Sequence, residues 1–159
     1  MSKYVDVQID ERRLKELLAA TADIPSLRVG VIGDEASQQH PDDGPTNAEI
    51  GAWHELGAGV PRRSWLRDWI DANMSTIRTT LYDRLRDAIL DERDPRTPIN
   101  QAGLKFVGDI QQRIADGIEP PLTEETKRRK MAKSGNAKDT PLIDSDQFRT
   151  SITHDLEDE

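Results

Sequence analysis

Cysteine is absent, so neither disulfides nor thiolate metal sites are available to this chain. No apolar run approaches the ~20 residues of a membrane-spanning helix. The opening Met1-Ser2-Lys3-Tyr4 carries no apolar signal segment, so the expectation is a protein made in a cytoplasm that stays soluble. Apolar residues are scarce as well: 35% of the 159 residues, against 33% charged. Even with glycine added, the apolar share stays below the roughly 45–50% usual for globular domains, and the charged share exceeds the usual ~25%. Such a chain can bury a core along a few amphipathic elements but must leave long stretches solvated. Stretches of that kind often order only against a partner.

The length fits one domain, residues 1–159, with a modest core. The net charge of −8 argues against wrapping a nucleic acid by simple charge neutralisation, although local basic patches remain open.

Tyr4–Ile9 alternates polar and apolar residues with the period of a half-buried strand. Asp10 is placed to cap a helix carrying Leu14, Leu17 and Leu18 on one face, ended by Ile24-Pro25. Leu27–Gly33 is β-branched and bounded by turn residues, and is expected to be the most buried strand. Residues 34–46 contain one alanine and no larger apolar residue, which predicts an exposed, mobile loop.

Asn47 is expected to cap a short helix through Ile50, Trp53 and Leu56, ended by Gly57 and Gly59. From Ser64 to Arg93, Leu66, Ile70, Met74, Ile77, Leu81, Leu85 and Ile89 recur every three or four residues. That predicts a helix of roughly 30 residues, about 45 Å long. Thr97 with Pro98 predicts the start of another helix, with Ile99, Phe106, Val107, Ile110 and Ile114 on its apolar face and Gly117 at its end. Gly103 and Gly108 inside it weaken it by about 1 kcal/mol each, unless they permit close packing. Thr123 caps a third helix, followed by a loop at 132–140, a closing strand at 150–153 and a frayed acidic tail at 155–159. The order predicts an α+β domain: a small, mainly antiparallel sheet with several packed helices, one of them long.

No catalytic constellation is complete. His54-Glu55 begins like a zinc-protease helix, but Ala58 stands where the second histidine belongs. His40 beside Asp42 and Asp43 offers at most a loose cation contact on a solvated loop. Gly30-Val31-Ile32-Gly33 lacks the third glycine of a dinucleotide fingerprint and the lysine of a phosphate loop, so it reads as a strand end. No catalytic, metal or cofactor residue is assigned, and no enzymatic activity is expected.

Two groups stand out as interface candidates. Trp53, Trp65 and Trp69 lie beside Arg62, Arg63 and Arg67, and both residue types are common at interface hot spots, although such tryptophans also serve as core. Lys127, Arg128, Arg129, Lys130, Lys133 and Lys138 form a cationic run with no acid between Lys127 and Lys138. It reads either as a solvated helix end that complements the helix dipole or as a contact for an acidic partner or DNA. Aromatics are absent there, which disfavours stacking on single strands.

Two blocks, which from first residue to last span about two thirds of the chain, carry a resemblance. Asn47–Trp69 (NAEIGAWHELGAGVPRRSWLRDW) and Gly103–Thr153, with Arg113-Ile114-Ala115-Asp116-Gly117, Pro120-Pro121-Leu122-Thr123, Pro141-Leu142-Ile143-Asp144 and Ser151-Ile152-Thr153, resemble phage tail-completion and neck proteins, including the Mu-type virion morphogenesis group. The family has Thr-Gly where this chain has Ser145-Asp146, so that turn is expected to differ.

The resemblance implies a structural virion protein of the neck or tail, synthesised in the bacterial host cytoplasm. It implies a self-assembled ring, typically a hexamer, at the head-proximal end of the tail, completing the tail and joining it to the head. The implied partners are a tail tube or tail terminator protein and head connector proteins, with double-stranded DNA passing the lumen without sequence-specific binding and no membrane contact. In such a ring the acids of the first loop, Asp42 and Asp43 among them, are placed either against the 127–138 cations of a neighbour or in the lumen. Alternatives are a head-closure or connector adaptor of the same neck, and a small nucleic-acid-binding regulatory protein using the 127–138 cluster.

Overall fold

The computed structural model describes residues 11–22, 24–41, 43–134, 140–142 and 146–158. The strand expected at Tyr4–Ile9 and the cap expected at Asp10 lie outside them. In chain order the elements are α1 (Glu11–Ala22), β1 (Ser26–Val31), α2 (Asp34–Ser37), α3 (Asn47–Leu56), α4 (Arg67–Leu90), α5 (Arg96–Asp116), α6 (Glu124–Ser134), α7 (Gln147–Thr150) and β2 (Ile152–Glu157). This is a small α+β fold with one long helix and a two-stranded antiparallel sheet. No helix among the described residues is long and apolar enough to cross a membrane.

The core is built around α5. Ile99, Ala102, Phe106, Ile110 and Ile114 recur at three- and four-residue steps and are all buried. Trp65, Trp69, Ile118, Phe148 and Ile152 close around that stripe. The sheet lies against α5 at Gly103, where a Cβ would fall 2.3 Å from His154 Cδ2 and 2.9 Å from Leu27 Cδ1. That glycine therefore permits close packing. Gly108 does not: a Cβ there would meet nothing within 4 Å. Gly108→Ala should thus remove backbone freedom from the unfolded chain without a clash, and raise stability by about 0.5–1 kcal/mol. A urea midpoint unchanged from wild type would refute this.

Several expectations need correction. The long helix is real but shorter, 24 residues, or about 36 Å. Its apolar stripe is only half-buried: Ile70, Ile77 and Leu81 pack partly against the core, Met74 is exposed, and only Trp69 and Ala88 are buried. Helix α4 packs mainly on α5 and touches α1 more sparsely, so much of the stripe has no neighbour to bury it among the described residues. Nor is β1 more buried than the other strand: β1 and β2 bury one residue each, Gly30 and Ile152, because a two-stranded sheet leaves one face of each strand thinly covered.

The tail is not frayed through 157. Asp155-Leu156-Glu157 belong to β2 and pair with Ser26, Leu27 and Arg28, and Arg28 meets Glu157 at 3.1 Å. Arg96 pairs with Asp158 beyond the strand. An acidic segment with one leucine carries no strand signal of its own; its partner supplies the order.

Helix starts also shift. Thr46, not Asn47, caps α3, in a capping box with Glu49. Asn47 is fully buried instead, donating from Nδ2 to Glu35 O at 2.8 Å and meeting His40 Nε2 through Oδ1 at 3.0 Å. Helix α5 begins one residue before the expected Thr97 cap, with Asp94 Oδ1 accepting from Arg96 N–H at 2.9 Å. Thr123 does serve α6 as expected, its Oγ1 accepting from Thr126 N–H at 3.2 Å, but the helix runs on to Ser134 and shortens the predicted 132–140 loop. The 34–46 segment contains the α2 turn and an isolated bridge between Gln39 and Thr46, so polar composition there coexists with local structure.

Candidate functional site

The segment from α3 into α4 folds around one carboxylate. Gly57 takes the left-handed conformation (φ 75°) and ends α3, its N–H donating to Trp53 O at 2.8 Å. The chain then doubles back, and Arg63 N–H donates to His54 O at 2.7 Å. This places Glu55 at the N-terminus of α4. Its Oε1 accepts from Ser64 Oγ at 2.6 Å and from Arg67 N–H at 3.2 Å, and its Oε2 accepts from Leu66 N–H at 3.0 Å. Ser64 Oγ in turn accepts from Asp68 N–H at 3.1 Å. The residue at the helix cap, Leu66, has no side-chain cap of its own. A carboxylate from a neighbouring helix therefore satisfies the first free amides of α4, where the helix dipole also favours negative charge. In the sequence Glu55 stands out only within the incomplete zinc motif and the first resemblance block, not as a cap. Nothing local flags its role, because the amides it caps lie across a turn.

The tryptophan–arginine group divides. Trp65 is buried, donates from Nε1 to Gly51 O at 3.0 Å, and meets Phe148 edge-on at 5.3 Å between ring centroids. Trp69 is buried against Phe106. Arg63 is only 4% exposed; its Nε donates to Pro120 O at 2.6 Å and its NH2 to Pro121 O at 3.2 Å. Burial draws its pKa below the usual guanidinium value. Trp65 and Arg63 thus belong to the interior of this subunit and are not free interface residues. Trp53, 40% exposed, remains at the surface with Arg62 and Arg67. Arg62 is tied to Glu55 O at 3.2 Å and to Asp68 at 3.4 Å.

The cationic run lies on α6. Arg128 and Arg129 are exposed, while Lys127 and Lys130 are half-buried. Lys127 pairs with Glu124 at 3.0 Å, Arg129 pairs with Glu125, and Lys130 Nζ donates to Thr140 O at 3.4 Å. Lys138 and Asp42 lie outside the described residues. Asp43 is exposed, with φ 53°. Of the turn expected at Ser145-Asp146, Ser145 lies outside the described residues; Asp146 takes the left-handed conformation (φ 60°, ψ −6°), which glycine adopts at less cost, with Arg149 Nε at 3.4 Å from its carboxylate.

His54 is half-buried and its Nδ1 is enclosed without a hydrogen-bond partner among the described residues. Its pKa is lowered from 6.5 to about 4, first by burial and then by the charges of Arg63 and Lys130. The imidazole is therefore neutral in the folded protein. Because the unfolded chain takes up this proton first, the stabilisation is complete above pH 6.5 and is lost as pH falls from 6.5 to 4. Allowing for partial exposure, the loss should be about 1–2 kcal/mol. His54→Gln should flatten that part of the stability–pH curve, read by urea titration at several pH values. An unaltered slope would show that His54 does not contribute it.

His40 is held by Asn47, and His154 Nε2 meets Asn100 Oδ1 at 2.9 Å. No group of three His, Cys, Asp or Glu residues among those described is placed to hold a metal ion. A cleft of about 330 Å³ between α1 and the end of α4 is lined by Arg13, Glu16, Leu17, Ile89, Glu92, Arg93 and Asp94. Its lining carries charges of both signs, and Arg13 pairs with Glu92 and donates to Leu90 O. Comparison with protein-family models, with curated proteins and with solved structures finds no match for this chain.

Proposed function

We propose that this chain is a structural subunit of a long-tailed bacteriophage, acting by assembly and not by catalysis. In this reading it forms a ring, a hexamer, at the head-proximal end of the tail or in the neck. It completes the tail and joins it to the head, with DNA passing through the lumen. The observation that supports the reading is how the two sequence blocks resembling tail-completion and neck proteins meet. Arg63 of the first block holds the Pro120 and Pro121 carbonyls of the second, and Trp65 of the first packs on Phe148 of the second. Residues far apart in sequence, within the two blocks of one resemblance, meet in one structural unit.

Deleting the gene from its phage should leave filled heads and free tails that fail to join, or tails of the wrong length. Normal infectious particles from the deletion would overturn the assignment. The free protein should be a monomer or weak oligomer by light scattering, since so polar a chain needs a tail or connector template. A tight hexamer in solution would remove the need for one. The exposed cations of α6 keep a second reading open, a regulatory protein that binds nucleic acid. Salt-dependent retention of the purified protein on duplex DNA would favour it.

A further inference from the structure

Helix α6 is a charge anomaly in this molecule. It has five cations and two acids in eleven residues, a net +3, so with a whole-chain charge of −8 the remainder carries −11. The helix is also poorly anchored. No residue from Glu124 to Ala132 is buried: Thr126, Lys127 and Lys130 turn partly inward, whereas Arg128, Arg129, Met131 and Ala132 face solvent. Met131 is 62% exposed. Helices shorter than about 12–15 residues are marginal in water without tertiary support. Little of that support comes from the described residues of its own subunit.

Opposite charge is presented elsewhere in the same chain. Asp34 and Asp43 are exposed and Glu35 is half-buried, and none of the three pairs with a cation among the described residues. Their backbone is tied down locally. Asn47 Nδ2 donates to Glu35 O, Ser37 Oγ to Asp34 O at 3.0 Å, Ala36 N–H to Gly33 O at 3.1 Å and Gly44 N–H to His40 O at 3.2 Å. Acids held in this way lose little freedom when a cationic surface docks on them.

We infer that α6 is a contact between copies of this chain: its outer side, with Arg128, Arg129 and Met131, docks on Asp34, Glu35 and Asp43 of a second copy. The two surfaces differ, so the contact is heterologous. Repeated from copy to copy, it closes into a ring or propagates as a filament. Closure into a ring rests on the function proposed above; the pairwise contact does not. Exposed ion pairs are individually weak, so the contact forms sparsely in the free protein and gains strength when several copies are held on one template.

The absence of cysteine makes disulfide trapping a clean test. A Gln38→Cys copy is mixed with a differently tagged Ala132→Cys copy, both sites being exposed and both substitutions leaving every charge in place. The cross-linked pair should exceed, several-fold, the yield from Ala132→Cys with Ser75→Cys on the exposed side of α4. It should fall to that control level at about 1 M salt, where the screening length is ~3 Å. Adding Arg128→Glu and Arg129→Glu to the Ala132→Cys copy should abolish the excess, and Asp34→Lys with Glu35→Lys on the Gln38→Cys copy should restore it. A yield equal to the control overturns the contact, as does retention on duplex DNA that Arg128→Glu and Arg129→Glu abolish while trapping persists. Rings seen on particles without trapping would sink this contact alone. Infectious deletion phage would instead sink the neck assignment, leaving the trapping result to stand by itself.

Discussion

Glu55→Ala should lower stability by about 3 kcal/mol, the largest effect expected from a single surface-accessible side chain in this protein. The substitution removes the acceptor for Ser64 Oγ, Leu66 N–H and Arg67 N–H together. Hydrogen bonds to a charged group contribute about 1.5–3 kcal/mol each when partly buried, and losses within one network overlap, so the sum is less than three times that. Leu66 and Ser64 are shielded from solvent to different degrees, and water replaces the carboxylate only in part. At this chain length the loss corresponds to a fall in Tm of roughly 6–12 °C. Glu55→Gln should cost less than half as much, because its amide oxygen still accepts while the charge that favours the helix N-terminus is gone. Equal melting of Glu55→Ala and wild type would show that water caps α4 as well as the carboxylate does.

Gly103→Ala should destabilise by about 2 kcal/mol, in the opposite direction to Gly108→Ala five residues along the same helix. The new methyl would overlap the His154 ring and the Leu27 side chain. Neither neighbour moves freely: His154 is held by Asn100, and Leu27 and His154 lie on paired strands. Relief requires α5 to shift off the sheet, and inserting volume into a packed contact costs about 1–3 kcal/mol, more than the gain in helix propensity. Val in place of Ala at 103 should cost more still. Urea melts of the two alanine variants side by side check the pair. If both shift the same way, helix propensity and not the sheet contact governs position 103.

The two glycines show where reading a sequence stops. Both lie inside one helical pattern, and the chain alone offers the same alternatives for each. Which one faces the sheet depends on where β1 and β2 come to rest. Tryptophans and arginines at 53–69 present the same problem. Their composition fits an interface, yet Trp65 and Arg63 are enclosed because Phe148 and the Pro120–Pro121 carbonyls reach them from much later in the chain. The residues left outside, Trp53, Arg62 and Arg67, are distinguished only by the direction in which α3 and α4 leave their turn.

What the sequence by itself determined about this protein is local. The 3.6-residue periodicity located α4 and α5, Gly57 ended α3, Thr123 started α6, and the alternation of class along the chain specified an α+β fold. Each of these depends on groups within a turn or two of one another, so the information lies in consecutive residues. Tertiary structure alone decided that α5 and not α4 is the core helix, since burial depends on how many neighbours an element acquires. It also turned the acidic tail into a strand, because β2 needs β1 to satisfy its backbone, and made Glu55 the cap of a helix to which it does not belong. Hydrogen bonds and packing act across space without regard to separation along the chain, and no pattern in consecutive residues records them.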